Sequence, residues 1–303
     1  MKIAVIGPGA MGMLFGGYLS RGNDVTLIGR DPERMKQIEE NGLVIEETDG
    51  TRNVYRPHAA ASSAGMEPAD LVVLFVKAGA SRSALETNRA LIGAHTLVLT
   101  LQNGMGHEKV LREFAPEENL LIGTTQQGSY RLPDGSVRHS GLGTTSFGAV
   151  SGESARFDFV ARAFTECGFP CETTDAVRGM VWNKLMINAS SSVLSGVLQT
   201  TQGYVAENKD AWNIAQALIR ELCAVATADG WPFDASEQIG RIRRHLEAAP
   251  GGYTSVYADL KAGRRTEVDV ITGAVVDAAH RHGVPAPTHE TMLSLVHAME
   301  QRP

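Results

Sequence analysis

The chain has few of the residues on which disulfide or zinc scaffolds depend. It contains only three cysteines, Cys167, Cys171 and Cys223, too few and too poorly accompanied by histidine for a disulfide framework or a zinc site. It also lacks an apolar run of the roughly 20 residues that span a membrane. Met1 leads directly into a strand-like segment, without the basic region and apolar core of a signal peptide. We therefore expect a cytoplasmic protein with no bound metal and no membrane partner.

A surplus of basic residues is also missing. The sequence has 28 lysines and arginines against 34 aspartates and glutamates, a formal net charge of −6, which argues against a nucleic-acid partner. The composition, 43% hydrophobic and 20% charged, is typical of a globular protein. A length of 303 residues suits two domains. The sequence leaves the oligomeric state open, and a homodimer is compatible with it.

The first part of the chain alternates short apolar runs with helical stretches. This alternation is typical of a parallel sheet with crossover helices, a doubly wound Rossmann-type fold. Between Thr124 and Phe147, polar alternation around a Pro133-Asp134-Gly135 turn predicts antiparallel hairpin strands at the edge of that sheet. We expect this α/β domain to cover residues 1–174. The predicted strands of its parallel sheet are Ile3–Ile6, Val25–Ile28, Leu71–Val76, Leu97–Leu101 and Leu120–Ile122.

Strand signals disappear after Thr174, and helical patterning continues to the end of the sequence. We therefore predict a second, all-helical domain over residues 175–303. Its predicted helices are Val177–Leu198, Trp212–Asp229, Ser236–Leu246, Glu267–His282 and Thr288–Glu300.

A glycine-rich motif, Gly7-Pro8-Gly9-Ala10-Met11-Gly12, lies between the first strand and the following helix. It matches the G-x-G-x-x-G fingerprint of dinucleotide-binding domains. In that fingerprint the first glycine permits a tight turn, the second lets a pyrophosphate approach the backbone, and the third allows close packing of helix and strand. The position of the motif predicts a nicotinamide dinucleotide cofactor.

The end of the second strand indicates which dinucleotide is bound. NAD enzymes place an acidic residue there to bind the ribose 2′-hydroxyl, whereas this chain has Arg30, which suits a 2′-phosphate. Asp31 lies one position further on and could accept the ribose hydroxyl if the strand ended later. Lys77, at the end of a later strand, adds a second basic group, although it could also be a surface lysine. We favour NADPH.

Lys184 and Asn188 are four residues apart in a predicted helix and so share a face, with Ser191 and Ser192 one turn further. Such a cluster of hydrogen-bond donors can line a cleft. Helical periodicity alone would equally suit an amphipathic helix with a solvated lysine.

Further motifs occur along the chain in a fixed order. Together with those above they are Gly7 to Gly12, Arg30, Val76-Lys77-Ala78, Gln102-Asn103-Gly104-Met105-Gly106, Gly123-Thr124-Thr125, Trp182-x-Lys184-Leu185-x-x-Asn188, Ser255-x-x-x-Asp259 and Thr266-Glu267-x-Asp269. In the order and spacing of this set, the chain resembles the ketopantoate reductase (2-dehydropantoate 2-reductase) family from end to end. The resemblance implies NADPH-dependent reduction of a small 2-oxo acid to the 2-hydroxy acid, in first place 2-dehydropantoate (ketopantoate) to pantoate in the biosynthesis of pantothenate and coenzyme A.

The same resemblance implies roles for particular residues. Lys184 would be the general acid and Glu267 its carboxylate partner, because hydride addition to a ketone leaves charge on oxygen that an ammonium can stabilise and protonate. Asn103 would lie near the nicotinamide and the substrate, and Asn188, Ser192 and Ser255 would bind substrate. Glu267 also has a structural interpretation, since Thr266-x-x-Asp269 has the form of a capping box.

Two departures from the family pattern bear on the substrate. Ser192 stands in the segment where the family has a second asparagine, and Gly252 replaces another asparagine three residues before Ser255. A paralogue that reduces a different 2-oxo acid is therefore an alternative. Two further alternatives are a 3-hydroxyacid dehydrogenase-like enzyme, which the 124–147 hairpin disfavours, and an NADPH-sensing protein without chemistry, which would need neither Lys184 nor Glu267.

Overall fold

The computed structural model describes residues 1–302. The chain divides into two compact units. The first contains Met1–Gln102 and His107–Val177, and the second contains Asn103–Gly106 and the chain from Arg178 onward. The segment Asn103–Gly106 thus groups with the second unit, whereas the predicted domain boundary placed it in the first.

The first unit contains twelve strands. They are β1 (Lys2–Ile6), β2 (Asp24–Ile28), β3 (Leu43–Glu46), β4 (Arg52–Tyr55), β5 (His58–Ala60), β6 (Leu71–Leu74), β7 (Leu97–Thr100), β8 (Leu120–Thr125), β9 (Gly128–Arg131), β10 (Val137–Gly141), β11 (Thr145–Ala149) and β12 (Cys171–Thr173). Eight of them form a sheet of order β12-β11-β8-β7-β6-β1-β2-β5. Every neighbouring pair in this sheet is parallel except β8 and β11. All five strands predicted for the parallel sheet are confirmed.

Both faces of this sheet are covered, as expected of a parallel sheet whose central strands are apolar throughout. All residues of β6 and β7 are buried. One apolar cluster joins α1, α5 and the smaller sheet to one face, and a second cluster covers the other face. The helices of the unit are α1 (Ala10–Leu19), α2 (Pro32–Asn41), α3 (Ser81–Thr87), α4 (Glu108–Leu111) and α5 (Asp158–Glu166).

The predicted hairpin exists, and an antiparallel strand that begins in the predicted region, β11, does lie next to the edge of the large sheet. The hairpin itself, however, belongs to another sheet. Strands β9 and β10 are antiparallel and belong to a separate four-stranded sheet of order β4-β3-β10-β9. The reason is the parallel pairing of β10 with β3, at Val137 opposite Ile45, which no local pattern indicates. The large sheet instead continues through β11, which pairs with β8 at Thr145 opposite Thr125.

The second unit is helical, and this prediction is confirmed. One helix differs from its prediction: the segment 177–198 is interrupted by a π-helical stretch at Asn188–Ser192. No helix within residues 1–302 is both long enough and apolar enough to cross a membrane. The helices are α6 (Val177–Ile187), α7 (Val193–Leu198), α8 (Gln202–Glu207), α9 (Lys209–Ala228), α10 (Ala235–Ala248), α11 (Ser255–Lys261), α12 (Val268–His282) and α13 (Pro287–Glu300).

Candidate active site

The turn between β1 and α1 has the shape that a dinucleotide requires. Gly7 has a φ of +100°, in the region open mainly to glycine. A Cβ on Gly12 would lie 2.1 Å from the Gly7 carbonyl oxygen, whereas a Cβ on Gly9 would have no protein atom within 4 Å. Gly7 and Gly12 are therefore required by packing. Gly9 leaves open space at the N-terminus of α1, where unpaired backbone N–H groups favour an anion.

The end of β2 packs against this turn. Gly29 makes the contact possible, because a Cβ there would lie 2.5 Å from Cγ of Pro8 and 2.9 Å from Sδ of Met35. The next residue, Arg30, is exposed. Asp31 is the N-cap of α2, and its Oδ1 accepts a hydrogen bond of 3.1 Å from the Arg34 backbone N–H. Asp31 thus has a structural function, and Arg30 stands at the position that contacts the ribose in this fold.

Lys77 follows β6 in an exposed loop. Gln102, which the sequence matched to the family without giving it a role, connects this loop to the end of β7. Its Nε2 donates to the Val76 carbonyl at 2.5 Å and to Ser81 Oγ at 2.9 Å, and its Oε1 accepts from Thr100 Oγ1 at 2.8 Å. Gln102 is buried and so positions the loop that carries Lys77.

In the second unit, α6 carries Lys184 near its C-terminal end. The neighbouring Trp182, Leu185 and Met186 are fully buried and anchor the helix in the core. Lys184 itself is half-buried. Burial lowers the pKa of its amine from the ordinary value to about 8, while the charge of Glu267 opposes this shift. The amine is therefore protonated at neutral pH and more acidic than a surface lysine.

Glu267 lies immediately before α12 and is also half-buried. The predicted capping box does not form. Thr266 Oγ1 accepts from the Val268 N–H at 3.1 Å, but the Asp269 carboxylate bonds to His297 at 2.8 Å instead of returning to the helix start. Glu267 caps nothing with its side chain. Glu267 still lies at the N-terminus of α12, where the helix macrodipole favours a carboxylate, and its charge also acts on Lys184.

Asn103 also belongs to the second unit, and the turn that follows it is one that only glycine permits. Gly104 has a φ of +99°, and a Cβ on it would lie 2.4 Å from the carbonyl oxygen of Val270. That oxygen also accepts a 2.8 Å hydrogen bond from the Met105 N–H. The segment Asn103–Gly106 therefore docks on the first turn of α12, the helix that Glu267 precedes.

The π-helical stretch changes the predicted helix face. Asn188, its first residue, is half-buried, whereas Ser191 and Ser192 are buried. A π-turn takes more residues per turn than an α-helix, so the serines do not simply continue the Lys184–Asn188 face one turn further. Such interruptions are frequent at functional sites.

Ser255 opens α11 and is exposed. Thr254, which sequence reasoning missed, connects it to the π-helical stretch. Its Oγ1 donates to the Ser192 carbonyl at 3.2 Å, lies 3.2 Å from Ser195 Oγ, and accepts from the Tyr257 N–H at 3.2 Å. Within the second unit, Ser192 and Ser255 are therefore held close together by one buried hydroxyl group.

Comparison with known proteins covers both units. A family model described as ketopantoate reductase PanE/ApbA matches residues 3–152. A second model, described as the C-terminal part of ketopantoate reductase PanE/ApbA, matches residues 176–300. The chain is 35% identical over 299 residues to a 2-dehydropantoate 2-reductase of Halobacterium salinarum, covering 98% of each chain.

Solved structures are similar to this chain over nearly its whole length. A ternary complex of D-mandelate dehydrogenase with NADH and anilino(oxo)acetate has a TM-score of 0.91 and 30% identity, covering 99% of this chain and 98% of the other. A 2-dehydropantoate 2-reductase from Geobacter metallireducens also has a TM-score of 0.91, at 27% identity, covering 98% of this chain and 99% of the other. The likeness therefore spans the whole chain.

Proposed function

The chain belongs to the ketopantoate reductase family, and from this premise we propose that it uses NADPH to reduce a 2-oxo acid, with ketopantoate as the leading substrate. It is an oxidoreductase, and its family and structural relatives indicate a nicotinamide cofactor and a 2-oxo acid. The observation that carries the proposal is the half-buried Lys184 beside Glu267, a proton donor for which an NADPH sensor would have no use.

The first unit suits the cofactor. The space in front of Gly9 and the free N-terminus of α1 can receive a pyrophosphate. NADPH, as opposed to NADH, is supported by Arg30, because Asp31 already accepts a hydrogen bond from α2. When bound, the nicotinamide supplies the hydride.

The second unit supplies the groups for the remaining chemistry. As hydride reaches C2 of the oxo acid, negative charge develops on the ketone oxygen. The Lys184 ammonium stabilises this charge, donates the proton that completes the hydroxyl group, and regains a proton from water. Glu267 favours the ammonium form before the reaction. Asn103, Asn188, Ser192 and Ser255 bind the substrate, with Thr254 holding the last two in register.

A second candidate substrate is a 2-oxo acid with an aromatic group. It is supported by the likeness to D-mandelate dehydrogenase, whose complex contains anilino(oxo)acetate. It is also supported by Ser192 and Gly252, which are smaller than the family asparagines. A Cβ at Gly252 would lie 3.3 Å from Oε1 of Gln202, so the Gln202 amide lies beside the position of the missing side chain.

A substrate panel tests the proposal. Purified protein is mixed with NADPH or NADH and with ketopantoate, its analogue without the terminal hydroxyl, or phenylglyoxylate, and loss of reduced nicotinamide is followed. A site that hydrogen-bonds the hydroxyl rejects the analogue by about 10⁴-fold or more, and that result would make ketopantoate the substrate. A higher kcat/KM for phenylglyoxylate would favour the aromatic candidate. Absence of turnover with every acid would contradict the function.

A further inference from the structure

A cavity of about 590 Å³ lies in the first unit between α2 and the four-stranded sheet. Small-molecule sites commonly occupy roughly 300–1,000 Å³. We name this cavity the α2 groove. Charged residues line it on both sides. Those at the start of α2 are Asp31, Glu33 and Arg34, and those of the four-stranded sheet and its turn are Arg52, Arg131 and Asp134.

Two arginines, Arg34 and Arg131, line the α2 groove. Burial and the charge of Arg131 lower the pKa of Arg34, while the charge of Asp31 opposes this shift. Arg34 Nη2 lies 2.6 Å from Sδ of Met13, and a thioether is a weak acceptor for a charged donor. Within residues 1–302, neither arginine forms an ion pair with a carboxylate. Two like charges thus line one groove with no carboxylate in ion-pair contact with either, an arrangement that an anion would stabilise.

Most acidic side chains of the groove are already engaged. Asp31 accepts from the Arg34 N–H. Asp134 accepts from Arg52 at 2.5 Å and from the Ser136 N–H at 3.0 Å. Glu33, in the first turn of α2, is exposed. The guanidinium groups of Arg34 and Arg131 therefore remain for a ligand, and paired guanidinium groups are a preferred partner of phosphate.

The position of the groove indicates which phosphate. One end is formed by Asp31 and Arg34, directly after Arg30 at the end of β2. This crossover is where the fold contacts the adenosine ribose. We propose that Arg34 and Arg131 act with Arg30 as the specificity residues that bind the 2′-phosphate of NADPH. The proposal rests on the proposed use of NADPH.

Equilibrium binding tests the proposal without turnover. Dissociation constants of NADPH and NADH are measured by nicotinamide fluorescence, and those of adenosine 2′,5′-bisphosphate and AMP by calorimetry, for the wild type, Arg34→Gln and Arg131→Gln. Each variant should bind NADPH and the bisphosphate about 10- to 100-fold more weakly, the range of a hydrogen bond to a charged group. NADH and AMP should change by less than about twofold, because they make no such bond.

Arg52→Gln is the matched control. Arg52 lines the same groove, but its guanidinium is paired with Asp134, so NADPH affinity should stay near that of the wild type. Parallel losses of NADPH and NADH affinity would overturn the proposal, since they would assign Arg34 to packing against Met13. The Arg131 side chain is exposed and can be replaced without disturbing the core. If Arg131→Gln binds NADPH as tightly as the wild type, the proposal is also overturned.

The reduction and the 2′-phosphate site are tested by different measurements. A wild type that turns over no 2-oxo acid contradicts the reduction, whereas the binding difference between NADPH and NADH is measured without substrate. A wild type that binds NADPH and NADH equally contradicts the 2′-phosphate site, while turnover with NADH would preserve the reduction.

Discussion

The Lys184 amine is the group on which the proposed chemistry depends. Lys184→Ala should lower kcat by about 10² to 10⁴, the usual contribution of a positioned acid. Affinity for NADPH should change little, because the variant leaves the Gly7–Gly12 turn intact. Lys209→Ala, which removes an exposed lysine from the same unit, is the control and should keep full activity. Near-normal turnover in Lys184→Ala would contradict its role as proton donor and would favour the alternative of a solvated lysine on an amphipathic helix.

The pH profile should report the same amine. Burial lowers the pKa of Lys184 to about 8, and only the protonated form can donate. The kcat/KM for reduction should therefore be level below pH 8 and fall about tenfold per pH unit above it. The Glu267 charge favours the ammonium, so Glu267→Gln should move the break to lower pH.

Asp277→Asn controls for the effect of charge in that experiment. Asp277 lies on α12, the helix that follows Glu267, and is exposed. Its substitution should leave the break in place. An unchanged break in Glu267→Gln, with activity retained, would mean that the two groups are not coupled.

Individual site residues could be predicted from local sequence only where they belong to a motif of recognisable spacing. The Gly7–Gly12 fingerprint and Arg30 follow from their places after β1 and β2. The pairing of Lys184 with Glu267 was available only from the family resemblance, because α6 and α12 are far apart in the chain and no local pattern relates these two side chains. For the same reason Thr254 carried no signal: its importance depends on a contact with Ser192.

The β1–α1 turn provides a test that separates folding from binding. Alanine at Gly12 would gain up to about 1 kcal/mol of helix propensity, but its Cβ would lie 2.1 Å from a backbone oxygen. Overpacking should prevail and lower the free energy of unfolding by about 1–3 kcal/mol. Alanine at Gly9 projects into open space and should leave stability unchanged. Its Cβ would keep the pyrophosphate away from the backbone N–H groups at the start of α1, so NADPH should bind at least about tenfold more weakly, the loss of one charge-assisted hydrogen bond.

Denaturant unfolding and nicotinamide fluorescence measure the two effects. The account would be contradicted if Gly9→Ala bound NADPH as tightly as the wild type, since the open space would then not be the pyrophosphate site.

Short and non-local elements were the least predictable. The strands β3 and β4 have four residues each, and their sheet is completed by β10 from much later in the chain, so no local pattern assigns the hairpin to it. The π-helical stretch at Asn188–Ser192 is likewise invisible to helical periodicity, because its serines also fit an α-helix.

The main elements of both units could be predicted from the sequence. Apolar runs that end at turns predict the parallel sheet of the first unit, and the 3.6-residue period predicts the helices of the second. The membership of Asn103–Gly106 in the second unit was not predictable, because it depends on the docking of Gly104 against Val270. Family likeness extends across both units.

The most direct test of the proposed reduction is transfer of label from NADPH that carries two deuterium atoms at C4 of the nicotinamide. The wild-type protein is incubated with the deuterated cofactor and ketopantoate, or the 2-oxo acid that the panel favours, and the product is examined by mass spectrometry and proton NMR. The account predicts a 2-hydroxy acid carrying one deuterium at C2, and its formation should be greatly slowed in Lys184→Ala. A product without deuterium, or NADPH that binds and is never oxidised, would contradict it.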